Sequence, residues 1–142
     1  NTRFLDILAT KTELVPYARE ILEFLSKKQI PITLISNGFI EVQYRKMRSA
    51  EIEHYFTHIV LSEMVGVLKP NPEIFNYALK LNNAQKEETL MVGDSFEADI
   101  EGALSAGIDA AYYNPRNKNF ETINSKNNLF NIKDLSEIFN LF

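Results

Sequence analysis

Two carboxylates stand close together in the sequence TLMVGDSFEADIEGALSAGI, which covers residues 89–108. Asp94 comes directly after Gly93, where an apolar run ends, and Asp99 lies in the segment that follows. Carboxylate oxygens are hard ligands that suit Mg²⁺. A purely structural explanation competes with this one, because Asp94 and Glu97 have the spacing of a helix capping box. The rest of the sequence has to decide between a cation site and a helix cap.

Two further polar groups follow apolar runs. The first consists of Ser36, Asn37 and Gly38. Backbone N–H groups at the start of a helix, together with the Ser36 hydroxyl, would form an anion site, although a serine that only caps a helix is the alternative. The second is Lys69, which lies beside Pro70 in a stiff loop. Its ammonium could neutralise phosphate oxygens, or it could be an ordinary solvated lysine.

The elements that position these groups alternate along the chain. Short apolar and β-branched runs predict strands at IPITLIS, THIVLS, TLMVG and IDAAYY. Helical spacing and capping signals predict helices at VPYAREILEFLSKKQ, FIEVQYRKMRSA, NPEIFNYALKLNN, SFEADIEGALSAG and IKDLSEIFNLF. This alternation indicates a parallel α/β sheet, and such sheets bind ligands at the carboxyl ends of their strands. The three polar groups all fall at or just beyond such ends, which predicts one shared site.

The composition excludes several classes of protein. The chain has 142 residues, of which 45% are hydrophobic, and a formal net charge of -4 without a run of basic residues. These values are typical of a globular domain and argue against a nucleic-acid polymer as partner. The absence of cysteine excludes disulfides and thiolate zinc sites. No apolar run approaches the roughly 18 residues of a membrane span, and we expect a cytoplasmic protein. The sequence does not indicate an oligomeric state.

Together, the three loops resemble the sequence motifs of the haloacid dehalogenase superfamily of hydrolases. The segments ITLISNG, GVLKPNPEIF and VGDSFEADIEGALSAGI look like its second, third and fourth motifs in the same order, and the resemblance covers the chain from Pro16 onward. Within the superfamily, AGIDAAYYNP and LSEMVGVLKPNPEIF look most like the noncanonical pyrimidine 5'-nucleotidases. Those proteins often have tryptophan where this chain has Tyr112.

The resemblance implies a fold and a division into domains. The implied fold is an α/β, Rossmann-like three-layer sandwich with a parallel sheet, to which residues 16–142 contribute the C-terminal portion of the hydrolase core. Residues 1–15 look like the end of a helical cap and its return linker, because the superfamily's first motif, Asp-x-Asp-x-Thr/Val, is not found there. In the family, the first strand lies between the strands ending here at Ser36 and Gly93. We therefore expect that strand, and most of the cap, to be missing from this chain.

The resemblance also implies a chemistry. In the superfamily, an aspartate at the end of the first strand attacks phosphorus and forms an aspartyl-phosphate, with Mg²⁺ as the cofactor. The resemblance assigns phosphate binding to Ser36, Asn37 and Gly38, catalysis to Lys69 and Asp99, and metal binding to Asp94. In this assignment Lys69 pairs with the nucleophile and the phosphate, whereas Asp99 supports the metal site or orients Lys69.

The function implied for the complete protein is that of a Mg²⁺-dependent phosphatase for small phosphate monoesters, above all nucleoside 5'-monophosphates. The 142-residue chain alone is expected to be inactive, because its nucleophile is not in the sequence. Two alternatives remain: another superfamily member, such as a sugar-phosphate phosphatase or a dehalogenase, and a non-catalytic binding module that retains the fold. A response-regulator receiver fits less well, because its lysine follows the last strand, whereas Lys69 precedes a middle helix.

Overall fold

The structure is a computed structural model that describes residues 5–9, 16–37, 45, 47–48, 51–121 and 125–142. These residues form a six-stranded sheet. Its strands are β1 (Leu5–Ala9), β2 (Ile32–Ser36), β3 (His58–Leu61), β4 (Thr89–Gly93), β5 (Asp109–Tyr113) and β6 (Leu129–Ile132). All neighbouring strands run parallel, and their order across the sheet is β3-β2-β1-β4-β5-β6. This arrangement confirms the predicted parallel α/β class.

Helices connect the strands. The α-helices are α1 (Ala18–Lys27), α2 (Ser62–Val65), α3 (Pro72–Leu81) and α4 (Gly102–Ser105). A π-helix at Phe96–Glu101 runs directly into α4, and short 3-10 helices lie at Glu53–Tyr55, Lys86–Glu88 and Leu135–Leu141. Of the predicted helix FIEVQYRKMRSA, Arg45, Met47 and Arg48 are described and helical, and the remainder lies outside the described residues. None of the described helices has the length and apolar character needed to cross a membrane.

Side chains along the strands alternate between two hydrophobic cores, as the pleat of a sheet buried on both faces requires. In β2, Ile32 and Leu34 belong to one core and Ile35 to the other; in β4, Val92 and Met91 divide in the same way. The first core includes α1 and the C-terminal 3-10 helix, and the second includes α3 and α4. The fold is therefore a three-layer sandwich with helices on both faces of the sheet.

Helix α3 begins where the sequence predicts. Asn71 is its N-cap, and the Asn71 side chain accepts a hydrogen bond from the backbone N–H of Glu73 at 2.9 Å. Pro72 occupies the first helical position, where its missing N–H costs nothing. The helix buries Ile74 and Phe75 against the sheet, which fixes the direction of the loop that carries Lys69.

The start of the chain differs from the expectation. The described part of residues 1–15 is a strand, Leu5–Ala9, which lies parallel to β2 on one side and to β4 on the other. The slot between the strands ending at Ser36 and Gly93, which was expected to lack a strand, is therefore filled by this segment. The physical reason is that backbone groups of two buried strands need hydrogen-bond partners. An extended segment of the same chain supplies them.

The C-terminal segment contains one predicted feature and one that was missed. Asp134 and Glu137 form the predicted capping box, with Ser136 N donating to Asp134 Oδ1 at 2.8 Å and Asp134 N donating to Glu137 Oε2 at 3.1 Å. The hydrogen bonds from Ser136 lower the pKa of the Asp134 carboxyl below its ordinary value. The helix itself is a 3-10 helix. Strand β6, which pairs with β5 at the edge of the sheet, was not predicted.

Candidate active site

The candidate site lies at the carboxyl edge of the sheet, where the strand order reverses. From β1 the chain builds outward through β2 to β3, then returns to place β4 on the other side of β1. Such a switch point leaves a crevice between the loops that leave in opposite directions. Ser36, the last residue of β2, and Gly93, the last residue of β4, stand on the two sides of it. Ser36 is buried.

A buried ion pair joins two of the predicted residues. Lys69 Nζ lies 2.6 Å from Asp99 Oδ1, and the two side chains are only 6% and 1% exposed. The ammonium also donates to the backbone carbonyl of Ile35 at 3.2 Å. Lys69 is therefore not the solvated surface lysine of the alternative interpretation. A buried charge is retained at low cost only when it is paired and hydrogen-bonded, and Lys69 is both.

Asn37 fixes the backbone of Lys69 through its side-chain amide. Asn37 Oδ1 accepts from Lys69 N at 2.9 Å, and Asn37 Nδ2 donates to Lys69 O at 3.3 Å. The two hydrogen bonds tie the loop after β2 to the loop before α3. The motifs assign Asn37 to phosphate binding and do not indicate its contact with Lys69. No sequence signal could have found it, because the two residues are separated by 32 positions and no local pattern joins them.

Asp99 is held from its other oxygen as well. Its Oδ2 accepts from the backbone N–H of Ser95 at 3.0 Å, so each carboxylate oxygen has a donor. The π-helix places Asp99 against the sheet, and π-helical turns of this kind are frequent at functional sites. Gly93 makes this approach possible, because a Cβ at that position would overlap the Asp99 carboxylate. These contacts suit Asp99 to orient the Lys69 ammonium.

Asp94 has a different environment from Asp99. It is partly exposed and does not cap the following helix, so the capping-box interpretation of Asp94 and Glu97 is wrong. The N-cap is Ser95, whose Oγ accepts from Ala98 N at 3.3 Å. The physical reason is that the Asp99 carboxylate binds Ser95 N and draws the helix start one residue further along. Asp94 therefore stays at the mouth of the crevice.

Two cavities open beside these residues. One, of about 190 Å³, is lined by Asp94 together with the end of β5 and the loop that follows it, at Tyr112, Tyr113, Asn114, Pro115, Arg116 and Lys118. The other is a wider depression of about 810 Å³ beside Lys69 and Asn37, and its walls include Val67 and the exposed Leu68. The candidate site thus has a small polar side and a broader, more apolar side.

The donor set of the site can be tested against Mg²⁺. Among the described residues, no group of three or more His, Cys, Asp or Glu side chains could hold a metal. Asp99 is buried and bound to Lys69 and Ser95, whereas Asp94 is partly exposed and lines a cavity that a cation could enter. Mg²⁺ is commonly held by one or two carboxylates together with water and substrate phosphate. Asp94 fits that role as a single protein ligand.

The structure brings together most of the predicted site residues. Lys69 contacts Asp99 and Asn37 directly, whereas Ser36 ends β2 and Asp94 directly follows the end of β4, on the two sides of β1. Gly38 lies outside the described residues. A nucleophilic aspartate at the end of β1 is not available, because the sequence contains no aspartate between Asp6 and Asp94.

The fold is a parallel three-layer sandwich, and the buried Lys69–Asp99 pair lies at its switch point. Both features are those of the hydrolase core that the sequence motifs resemble. The chain belongs to the haloacid dehalogenase-like hydrolase family, whose sequence model matches residues 2–107. This match confirms the resemblance described above.

The relatives differ in the substrates for which they are named. The chain is 37% identical over 99 residues to a glyceraldehyde 3-phosphate phosphatase of Pyrococcus abyssi, covering 70% of this chain and 42% of that protein. It is 34% identical over 119 residues to the pyrimidine 5'-nucleotidase YjjG of Escherichia coli, covering 83% and 52% respectively. The chain therefore spans about half the length of the curated relatives it matches.

A solved structure gives the same picture of the fold. The HAD-hydrolase YfnB from Bacillus subtilis, in a crystal structure bound to magnesium, matches this chain with a TM-score of 0.78 and 30% identity. The match covers 89% of this chain and 54% of YfnB. The family is thus one of phosphatases and related hydrolases with a Rossmann-like core. Members that are named for different phosphate esters match this chain over about half of their own length.

Proposed function

We propose that this chain forms the phosphate-binding part of the active site of a phosphatase that, as a complete protein, hydrolyses small phosphate monoesters. The observation that carries the proposal is the buried Lys69 ammonium, which donates to the carbonyl of Ile35 near the end of β2, at the switch point of the sheet. An ammonium has three N–H donors. Asp99 Oδ1 and Ile35 O accept two of them, and one is left for a phosphate oxygen.

The electrostatics of the site explain why a cation would be needed as well. The Lys69–Asp99 pair is neutral as a unit, so a bound phosphate would bring negative charge that the pair alone does not balance. Asp94 is the residue that would hold Mg²⁺. The ion, when bound, would supply positive charge to the phosphate oxygens. Lys69 would fix one phosphate oxygen, and Asn37 would keep the Lys69 loop in place.

The substrate class follows from the resemblance. Nucleoside 5'-monophosphates are the first substrates to test, because AGIDAAYYNP and LSEMVGVLKPNPEIF look like the corresponding segments of pyrimidine nucleotidases. The identity to YjjG supports this choice, and the similar identity to a glyceraldehyde 3-phosphate phosphatase supports sugar phosphates as the alternative.

A second candidate function is that of a phosphate-binding module without hydrolysis. One specific observation favours it: β1 fills the central slot of the sheet, and the sequence provides no aspartate after it before Asp94. In this form the chain would bind phosphate groups at Lys69 without forming an aspartyl-phosphate.

Phosphate binding can be measured on the chain itself. Calorimetric titration with inorganic phosphate in the presence of Mg²⁺ should show binding that Lys69→Met/Asp99→Asn, which leaves no unpaired carboxylate buried, weakens about tenfold or more, since a hydrogen bond to a charged group contributes about 1.5–3 kcal/mol. Lys80→Met is the matched control, because Lys80 lies in the last turn of α3, at the opposite edge of the sheet. Equal affinity of the two variants for phosphate would contradict the proposal.

Turnover separates the two candidate functions. The complete protein should hydrolyse p-nitrophenyl phosphate and uridine 5'-monophosphate with Mg²⁺, and the 142-residue chain should not. Phosphate binding without turnover by the complete protein would favour the binding module. Turnover by the chain that Asp94→Asn abolishes would show that a nucleophile is present in it after all.

A further inference from the structure

The loop after β5 carries two cations that the proposed phosphate site does not use. Arg116 and Lys118 are exposed, and both line the cavity of about 190 Å³ that also contains Asp94. Within the described part of the chain, neither side chain makes a hydrogen bond or an ion pair. Two cations against one carboxylate give this small cavity an excess of positive charge.

The loop is a built turn, because Asn114 closes it. Asn114 is buried, its Oδ1 accepts from Lys118 N at 2.9 Å, and its Nδ2 donates to Lys118 O at 2.9 Å. Asn117 N donates to Asn114 O at 3.1 Å, and Asn114 N donates to Ile132 O at 2.7 Å. These hydrogen bonds anchor the backbone that carries Arg116 and Lys118 to the end of the sheet. A cation on an anchored loop loses less entropy on binding than one on a free loop.

Tyr112, which lines the same cavity, belongs to an aromatic cluster that reaches the π-helix of the candidate site. Tyr112 packs edge-on against Phe96 and Phe120, with ring centroids 5.3 Å and 5.4 Å away. Phe96 is the first residue of the π-helix that also carries Asp99. The loop with the two cations and the residues of the proposed phosphate site are thus attached to one packed unit.

We infer that Arg116 and Lys118 form a second anion subsite, which binds a carboxylate or phosphate on the leaving group of the substrate. The inference rests on the proposed phosphatase function, because it requires the ester phosphate to lie beside Asp94. Arg116 presents a planar fork of donors suited to such a group, and Lys118 adds a point charge. The subsite would favour phosphate monoesters with a second anionic group, and would rank them ahead of the nucleoside 5'-monophosphates that the resemblance indicates, because the base of those nucleotides is uncharged.

A matched pair of ligands tests the subsite. 3-Phosphoglycerate and glycerol 3-phosphate differ by a carboxylate in place of a hydroxymethyl group. Calorimetric titration of the 142-residue chain with Mg²⁺ should give a dissociation constant about tenfold lower for 3-phosphoglycerate, the gain of about 1.4 kcal/mol that two exposed charged contacts, one to each cation, can supply together. In Arg116→Gln/Lys118→Gln this ratio should fall to about one. Exchanging the two cations, as Arg116→Lys/Lys118→Arg, should preserve part of it.

The control removes the same charge elsewhere. Lys27 and Lys80 lie in the last turns of α1 and α3, at the amino edge of the sheet, so Lys27→Gln/Lys80→Gln should keep the tenfold ratio. Equal affinities in the wild-type chain, or a ratio that Arg116→Gln/Lys118→Gln leaves unchanged, would overturn the subsite.

Turnover distinguishes failure of the subsite from failure of the function. A complete protein that hydrolyses both esters with equal kcat/KM refutes the subsite and leaves the phosphatase intact. A complete protein that hydrolyses neither refutes the phosphatase, and the ratio of dissociation constants still decides the subsite.

Discussion

Replacing Lys69 with methionine removes one partner of the buried ion pair and leaves the Asp99 carboxylate 1% exposed, with the N–H of Ser95 as its remaining donor. Loss of one partner from a buried pair costs about 3–5 kcal/mol, mostly because the other charge stays buried without compensation. Whole domains are stable by roughly 5–15 kcal/mol. We therefore expect Lys69→Met to lower the free energy of unfolding by a large part of its total.

The double variant Lys69→Met/Asp99→Asn tests this reasoning. It removes both charges together, so its loss of stability should be at least about 1.5 kcal/mol smaller than the sum of the two single losses. The assay is urea denaturation of the 142-residue chain at pH 7, with similar m-values for all variants. A single variant that is unfolded while the double variant folds leads to the same conclusion.

The chain contains its own control for this cycle. Arg48 and Glu53 form an ion pair at 3.3 Å, but their side chains are 70% and 38% exposed. An exposed pair contributes about 0–1 kcal/mol, so Arg48→Met/Glu53→Gln should show coupling below about 1 kcal/mol. Strict additivity at Lys69 and Asp99, or coupling no larger than that of the exposed pair, would refute the claim that the buried charge governs the cost.

Two further predictions concern the sheet and its C-terminal cap. Ile7 lies in β1 between Thr33 and Met91. Ile7→Pro should lower the urea midpoint, because proline removes a hydrogen-bond donor from the centre of the sheet at a cost of about 1–3 kcal/mol. An unchanged midpoint would contradict the placement of β1. Because the pKa of Asp134 is lower in the folded chain than its ordinary value of 3.8, the ionised carboxylate stabilises the fold at a pH above 3.8. This contribution to stability is lost as the pH falls through the folded-state pKa. Between pH 7 and pH 3, Asp134→Asn should therefore lose less stability than the wild-type chain, and equal losses measured by urea denaturation would contradict this.

Local patterns predicted the elements whose sequences are apolar and clearly bounded. Strands β2 to β5 were recognised from their β-branched and apolar runs, and α3 from Asn71 and Pro72 at its start. These strands are buried, except for the partly exposed ends of β3 and β5. A buried strand needs apolar residues, and those residues are the pattern by which it can be predicted. The crevice could be predicted for the same reason, because it follows from where such strands end.

The features that were missed depend on partners far away in the sequence. Leu5–Ala9 is a strand because β2 and β4 need hydrogen-bond partners between them. The five residues, which include the charged Asp6, do not by themselves indicate a central strand. Leu129–Ile132 is an edge strand with a mostly unburied pattern, so its sequence lacks the continuous apolar run of a central strand. The contact of Asn37 with Lys69 likewise joins loops that no periodicity relates.

The two aspartates after Gly93 show where local reasoning reaches its limit at the site. In the sequence, Asp94 and Asp99 look like equivalent carboxylates near the start of one helix. The structure separates them, because the absent Cβ of Gly93 leaves room for Asp99 to turn back and bind Ser95 N and the Lys69 ammonium. Asp99 is then buried with a donor on each carboxylate oxygen, whereas the partly exposed Asp94 lines the cavity. Substitution of Asp94 should therefore weaken the binding of a cation at this edge, whereas substitution of Asp99 should mainly disturb the orientation of Lys69.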